Sequence, residues 1–254
     1  MDILARVNKH YEAAVVHYGE DAVFGVFLYG SQNYRTNTPD SDVDTKCILV
    51  PDLRVLALHP YEVKHLDVDG EVCECVSIMH MVNNWKKQNI NFVEILFTPY
   101  FKVNPKYEDF WLETSNGYKP YALDEKKCER IARYNVNAAV LSMAHQAMHT
   151  IKQDPTDLKK LMNAARITYS LFLLTDTNLN YNNVIQATPE IAGIRTGETK
   201  LPDHYVDTTL GILNGMIKCA DEGQWAPNKE EQAEVDCFLN DFILDLIKRR
   251  ITLE

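Results

Sequence analysis

The chain has 254 residues, 46% of them hydrophobic and 24% charged, a composition with room for one large globular domain or two modest ones. A formal charge of −10 and a pI near 5.3 exclude a surface that grips nucleic acid broadly, because neutralising phosphates takes clustered Lys and Arg. No apolar run approaches the roughly 20 residues of a membrane span, and MDILARVNKHYEAAVVHYGED lacks the apolar core and cleavage site of a signal peptide.

Residues 3–19 carry Ile3, Val7, Tyr11 and Val15 at helical spacing. Val23 to Leu28 is short and rich in β-branched and aromatic residues, which predicts a buried strand ending at Tyr29-Gly30-Ser31. A polar loop containing Pro39 leads to a second predicted strand, 42–50, closed by Pro51. Segments 61–68 and 72–78 flank Asp69-Gly70, a good hairpin dipeptide. From about residue 79 the pattern turns helical, with irregular stretches near Pro99, Pro105 and Gly117. Asp124 is placed to cap a long helix reaching about residue 152, with His145 on its apolar stripe. Further helices are expected over 156–174, 206–221 and 229–251, and an irregular stretch over 176–204. The fold class expected is α+β: a small mixed sheet with helices over 1–120, then an all-α helical bundle over 121–254.

The six cysteines are scattered through predicted elements, so they read as reduced, small core residues of a cytoplasmic protein. His145 and His149 lie four apart, but HQAMH lacks the Glu of a zinc-protease helix, so an interior histidine is the simpler reading of His145. Lys248-Arg249-Arg250 suits the negative end of the last helix better than an RNA surface.

The sharpest local feature is Gly30-Ser31, ten residues, then Asp42-Val43-Asp44. Two carboxylates two apart in an extended segment point to one face. They repel unless solvated, sharing a proton, or neutralised by a cation. Hard oxygen ligands suit Mg²⁺, which one or two carboxylates hold together with substrate phosphates, and a pair of such ions can clamp a phosphoryl displacement. Gly30 lets backbone approach a ligand, and Ser31 with the N–H groups after it would cradle phosphate oxygens where a helix begins. For a third carboxylate, Glu74 lies between Val72 and Val76 on one strand face, an awkward place for an acid without a partner; Glu71 and Asp69 are the alternatives. No GxxxxGK[ST], GxGxxG or nucleophile triad is present.

GS-x10-DxD resembles the signature of the DNA polymerase beta nucleotidyltransferase superfamily. The stretches GSQNY, SDVDTK, NFVEILFTPYF, KKLMNAARI and IAGIRTGE are similar to those of predicted nucleotidyltransferases associated with RNA ligases, phage-encoded relatives included, over about residues 25 to 200. The resemblance implies a sheet bearing the catalytic acids and a helical domain closing over the nucleotide. It implies that Asp42 and Asp44, with Glu74, bind two Mg²⁺ (or Mn²⁺) ions with the NTP, and that Gly30, Ser31 and Tyr34 hold the triphosphate. Lys160, Arg166 and Arg195 fall in matched stretches, where they would reach phosphates or the acceptor. One departure is Arg35, where relatives often carry Gly after the Tyr. The activity implied is transfer of an NMP from an NTP to an acceptor hydroxyl. An RNA or tRNA end is favoured as acceptor, with a protein (an antitoxin-like role) or a small molecule left open. The competing expectation is a nucleotide-binding module without catalysis.

Overall fold

Strand β1 (Val23–Leu28) has every residue buried. The computed structural model describes residues 2–111, 122–176 and 186–253. β1 pairs antiparallel with β2 (Thr45–Leu49) on one side and with β5 (Phe101–Val103) on the other. β2 pairs in parallel with β4 (Glu71–Ser77), and β3 (Val63–Val68) closes the sheet antiparallel to β4, giving the order β3-β4-β2-β1-β5. The β3–β4 turn falls on Asp69 and Gly70, both at positive φ, as Asp-Gly predicts for a two-residue hairpin.

A register shift between Val23 and Gly25 turns β1 within its length. Val23, Val26 and Leu28 therefore meet helix α1 (Ile3–Tyr18), while Phe24 and Phe27 face the opposite side. Gly25 is required there: a Cβ on it would lie 2.9 Å from the Lys102 carbonyl oxygen of β5. Alternation divides the next strand in the same way. Val43 and Cys47 pack beneath α1 with Cys73 and Cys75 of β4, and Ile48 and Val76 pack into the larger core on the other face.

Short helices α2 (Ser31–Tyr34), α3 (Leu53–Leu58), α4 (Ile78–Lys86) and α5 (Ile90–Val93) decorate the sheet. The second half carries α6 (Glu125–Ala132), α7 (Val136–Gln153), α8 (Leu158–Thr175), α9 (Pro189–Thr196), α10 (Tyr205–Asp221) and α11 (Lys229–Leu253). The architecture is a mixed α+β core with a helical C-terminal half. Phe242 of α11 lies 6.3 Å, centroid to centroid, from Phe24 of β1, so both halves share one apolar cluster. The boundary expected near residue 120 lies outside the described residues.

Several expectations need correction. The long helix expected from Asp124 is two: Asp124 caps α6, and Asn135 accepts the Ala138 N–H to start α7. That restart leaves a buried stripe of Ala139, Val140, Met143, Ala144, Ala147 and Ile151. His145 lies beside that stripe and is exposed, its Nδ1–H donating to the Leu141 carbonyl (2.7 Å), and His149 is exposed too. A helix, α9, occupies part of the stretch read as irregular, opened by the Thr188 cap with Pro189 and ended by Gly197 at φ 76°. Four cysteines are buried, but Cys219 is only half-buried and Cys237 is exposed. Arg249 pairs with Asp109 at 3.0 Å, and Arg250 donates to the Val50 carbonyl, so this basic run ties α11 to the sheet half.

Candidate active site

β1 ends where Tyr29 N–H donates to the Asp44 carbonyl (3.0 Å). Gly30 then adopts φ 82°, ψ −153°, a conformation essentially confined to glycine, and one helical turn follows. A Cβ on Gly30 would lie 2.9 Å from Asp44 Oδ2, so the loop and the carboxylate are in contact. Arg35 ends the turn in the left-handed region at φ 61°, ψ 34°. It thus takes the backbone conformation that glycine adopts readily, and the turn closes with a side chain at that position.

Asp42 and Asp44 precede β2 rather than lying in it, because hydrogen-bonded pairing begins only at Thr45. The extended backbone still alternates: Val43 is buried, Asp42 is exposed and Asp44 is half-buried. The two carboxylates therefore share a side, as the spacing predicts. Between them, Val43 N–H donates to Glu71 Oε1 (2.7 Å). Glu71 is buried, ion-paired with Arg6, and 3.4 Å from His10 Nε2. His10 Nδ1 in turn meets Thr45 Oγ1 at 2.7 Å. Burial, and then the charge of Asp42, raise the Asp44 carboxyl from its ordinary value, while Lys46 and Lys159 pull it down.

Glu74 shares the sheet face of Asp44, two residues along in register, opposite Lys46. Its carboxylate is ion-paired with the buried Lys46 ammonium at 2.9 Å, and that ammonium also stands 3.9 Å from the Tyr29 ring centre and 4.3 Å from that of Phe92. Asp69 is at the hairpin tip, paired with Lys9. Among the described residues, no group of three or more His, Cys, Asp or Glu side chains is arranged to hold a metal ion. Asp42 and Asp44 nonetheless suit Mg²⁺: two hard-oxygen ligands, one of them burdened by burial and by its neighbour, fit an ion that fills its other positions with phosphate and water.

Asp42 and Asp44 line a cavity of about 310 Å³ with Ser31, Tyr34, Thr36, Asp40, Ser41, Lys159, Met162, Asn163 and Arg195. One wall is the nucleotide-loop candidate and the other comes from α8 and α9. Arg195 Nη1 donates to the Thr36 carbonyl (2.7 Å), fastening α9 to the loop. Lys159 reaches the cavity, whereas its neighbour Lys160 does not line it. The helical phase puts Lys159 on the cavity side of α8 with Met162 and Asn163, three and four residues on. Arg166 is buried one turn beyond Met162, its guanidinium carbon 3.7 Å over the Tyr34 ring, with Nε and Nη1 lacking hydrogen-bond partners among the described residues.

Glu94 was not singled out by the sequence. It is fully buried, accepting from Gly30 N–H (3.3 Å), Asn33 Nδ2 (3.0 Å) and Tyr34 Oη (2.6 Å). Burial pushes its carboxyl up to about 7 against those three donors and Arg166. The available signal was an acid inside the apolar run Phe92-Val93-Glu94-Ile95-Leu96, a place where an acid needs partners.

No protein-family model and no curated protein matches the sequence. A solved structure, that of a nucleotidyltransferase-like protein from Exiguobacterium sibiricum, aligns with 94% of this chain and 91% of its own at 12% identity. Its TM-score of 0.30 is too low an overlap to carry an assignment. No described helix is long and apolar enough to cross a membrane.

Proposed function

We propose that this chain is a divalent-metal-dependent nucleotidyltransferase that moves an NMP from an NTP to an acceptor hydroxyl. The observation that carries this reading is the contact between Gly30 and the Asp44 carboxylate over a cavity whose far wall bears Lys159 and Arg195. Carboxylates and cations facing one another across such a space suit a substrate that is polyanionic and needs in-line positioning. Asp42 and Asp44 would hold the Mg²⁺ (or Mn²⁺), with Glu74 available as a further ligand only if it leaves Lys46. When bound, the metal would offset phosphate charge and acidify the attacking hydroxyl.

The chain's own groups do the rest. Lys159 and Arg195 balance the phosphates, and the Ser31 hydroxyl orients them. The acceptor oxygen bonds to the α-phosphorus, the bond to the bridging oxygen breaks, and pyrophosphate departs with the electron pair. Asp44, half-buried on the cavity wall, is placed to take the hydroxyl proton. The acceptor we favour, from the resemblance to RNA-ligase-associated proteins, is an RNA or tRNA end; a charge of −10 disfavours a wide RNA footprint and leaves room for a short end in a groove. A second reading, nucleotide binding without transfer, is favoured by the engagement of Glu74 with Lys46.

The test is incubation of the four α-³²P-labelled NTPs with Mg²⁺ or Mn²⁺ and either total RNA or a protein lysate. Label in RNA supports the favoured acceptor, and label in a protein band supports protein nucleotidylation. Binding without transfer to either supports the second reading. Asp44→Asn is expected to cut transfer by at least about a hundredfold, the scale of losing one electrostatic contact to transition-state charge. It is also expected to raise the stability of the metal-free protein, because a half-buried like charge disappears. Unchanged transfer in that variant defeats the mechanism.

A further inference from the structure

We infer that Glu94 is a positioning residue for the loop Gly30–Tyr34: its buried carboxylate holds that loop in the form that turnover requires. The inference rests on the reading of this loop as the phosphate-binding wall of a nucleotidyltransferase site. Packing alone does not ask for an acid at this position. Its neighbours Val93 and Ile95 are buried, and an apolar side chain would satisfy the same packing without the cost of burying a carboxylate. Among the described residues its three side-chain hydrogen bonds all go to one loop: Oε2 accepts from Gly30 N–H and Asn33 Nδ2, and Oε1 from Tyr34 Oη. Gly30 is also the residue that touches Asp44. A shift at Glu94 is therefore transmitted through one peptide unit to the carboxylate pair.

The loop is held from the other side as well. Arg166 of α8 stacks on the Tyr34 ring, and Ala187 N–H donates to the Tyr34 carbonyl at 3.0 Å. Tyr34 thus stands between Glu94 below and the helical half above. The charged and titratable groups facing Glu94 are the Tyr34 hydroxyl from α2, Arg166 from α8, Tyr29 at the end of β1 and Lys46 from β2. Only the ionised carboxylate can accept from all three loop donors without offering a proton of its own. A protonated Glu94 must donate once, and the Tyr34 hydroxyl would then turn to Asn91 Oδ1, now 3.4 Å away. Burial brings the carboxyl to about 7, so this exchange takes place near neutral pH.

The experiment compares wild type, Glu94→Gln, Tyr34→Phe and Asp44→Asn. It measures transfer from α-³²P-NTP between pH 5.5 and 8.5 and amide exchange of residues 30–36. Glu94→Gln keeps the volume and places an amide donor where a carboxylate oxygen stood. It is expected to lower kcat roughly 10- to 100-fold, as for loss of a charged hydrogen bond, with a smaller change in KM. The rise of kcat/KM through about pH 7 should flatten, and exchange over 30–36 should quicken. Tyr34→Phe keeps the ring under Arg166 and removes the hydroxyl that donates to Glu94, so a loss of about tenfold is expected; it carries the test if Glu94→Gln does not fold. Wild-type rates, pH profile and exchange in the Glu94 and Tyr34 variants, with Asp44→Asn inactive, overturn the positioning role and leave the transfer reading intact. If Asp44→Asn transfers normally, the transfer reading falls. Loop exchange then decides the role of Glu94: faster supports it, unchanged overturns it.

Discussion

Gly30 carries two constraints at once, a backbone conformation that side chains avoid and a side-chain neighbour that leaves no room. Gly30→Ala should cost about 1–3 kcal/mol in conformational strain. The clash is with the end of a flexible side chain, so Asp44 can yield, but in yielding it moves its carboxylate. We expect a modest fall in thermal midpoint and a much larger loss of transfer, with the disproportion between the two as the diagnostic. Glu94 adds a stability effect whose sign opposes its role in turnover. Its folded value near 7 lies above the ordinary 4.5. The stabilisation from its neutral form is therefore full below about pH 4.5 and is lost as pH rises through 7, to the extent of roughly 3 kcal/mol. Denaturant titrations of wild type and Glu94→Gln across this window should diverge by that order, the variant losing less. The site is held in its working form at some expense of stability.

Among the elements, α9 is short but consequential. It carries Arg195 to the cavity and to the Thr36 carbonyl, and it rests on α8 through Ile194 against Leu161 and Met162. The Thr188 hydroxyl accepts the Ile191 N–H at its start. Removing that cap in Thr188→Ala should cost about 1 kcal/mol. Because Arg195 sits at the far end of the same helix, KM for the NTP is expected to rise a few-fold with little change in kcat. A binding assay read beside the kinetics checks this. The same element shows where sequence patterning falls short. Thr188-Pro189 and Gly197 are proper start and stop signals, yet the turn residues around them dominate the composition of 176–204. Conversely, Asp69-Gly70 needed no tertiary help, since its turn chemistry already specifies the register of β3 and β4.

At the scale of the molecule, α11 ties the C-terminal half to the sheet. Phe242 meets Phe24 and Phe110, both from the first half, as well as Phe238 of its own helix. Phe242→Ala should cost about 3–5 kcal/mol. With one shared core, unfolding followed at the sheet and at the helical half should shift together, and separated transitions would show two independent cores.

Strand and helix alternation, the hairpin, and the placing of Asp42 and Asp44 on one side were legible in the chain. They depend on periodicity and turn chemistry, which act between near neighbours and leave their mark in residue order. The engagement of Glu74 by Lys46, the choice of Lys159 over Lys160, the exposure of His145 and the burial of Glu94 beneath Gly30 were not. Each turns on which residue from a distant part of the chain arrives beside it. A carboxylate opposite a lysine and a carboxylate open to a cavity are the same letter in a sequence, and packing alone separates them.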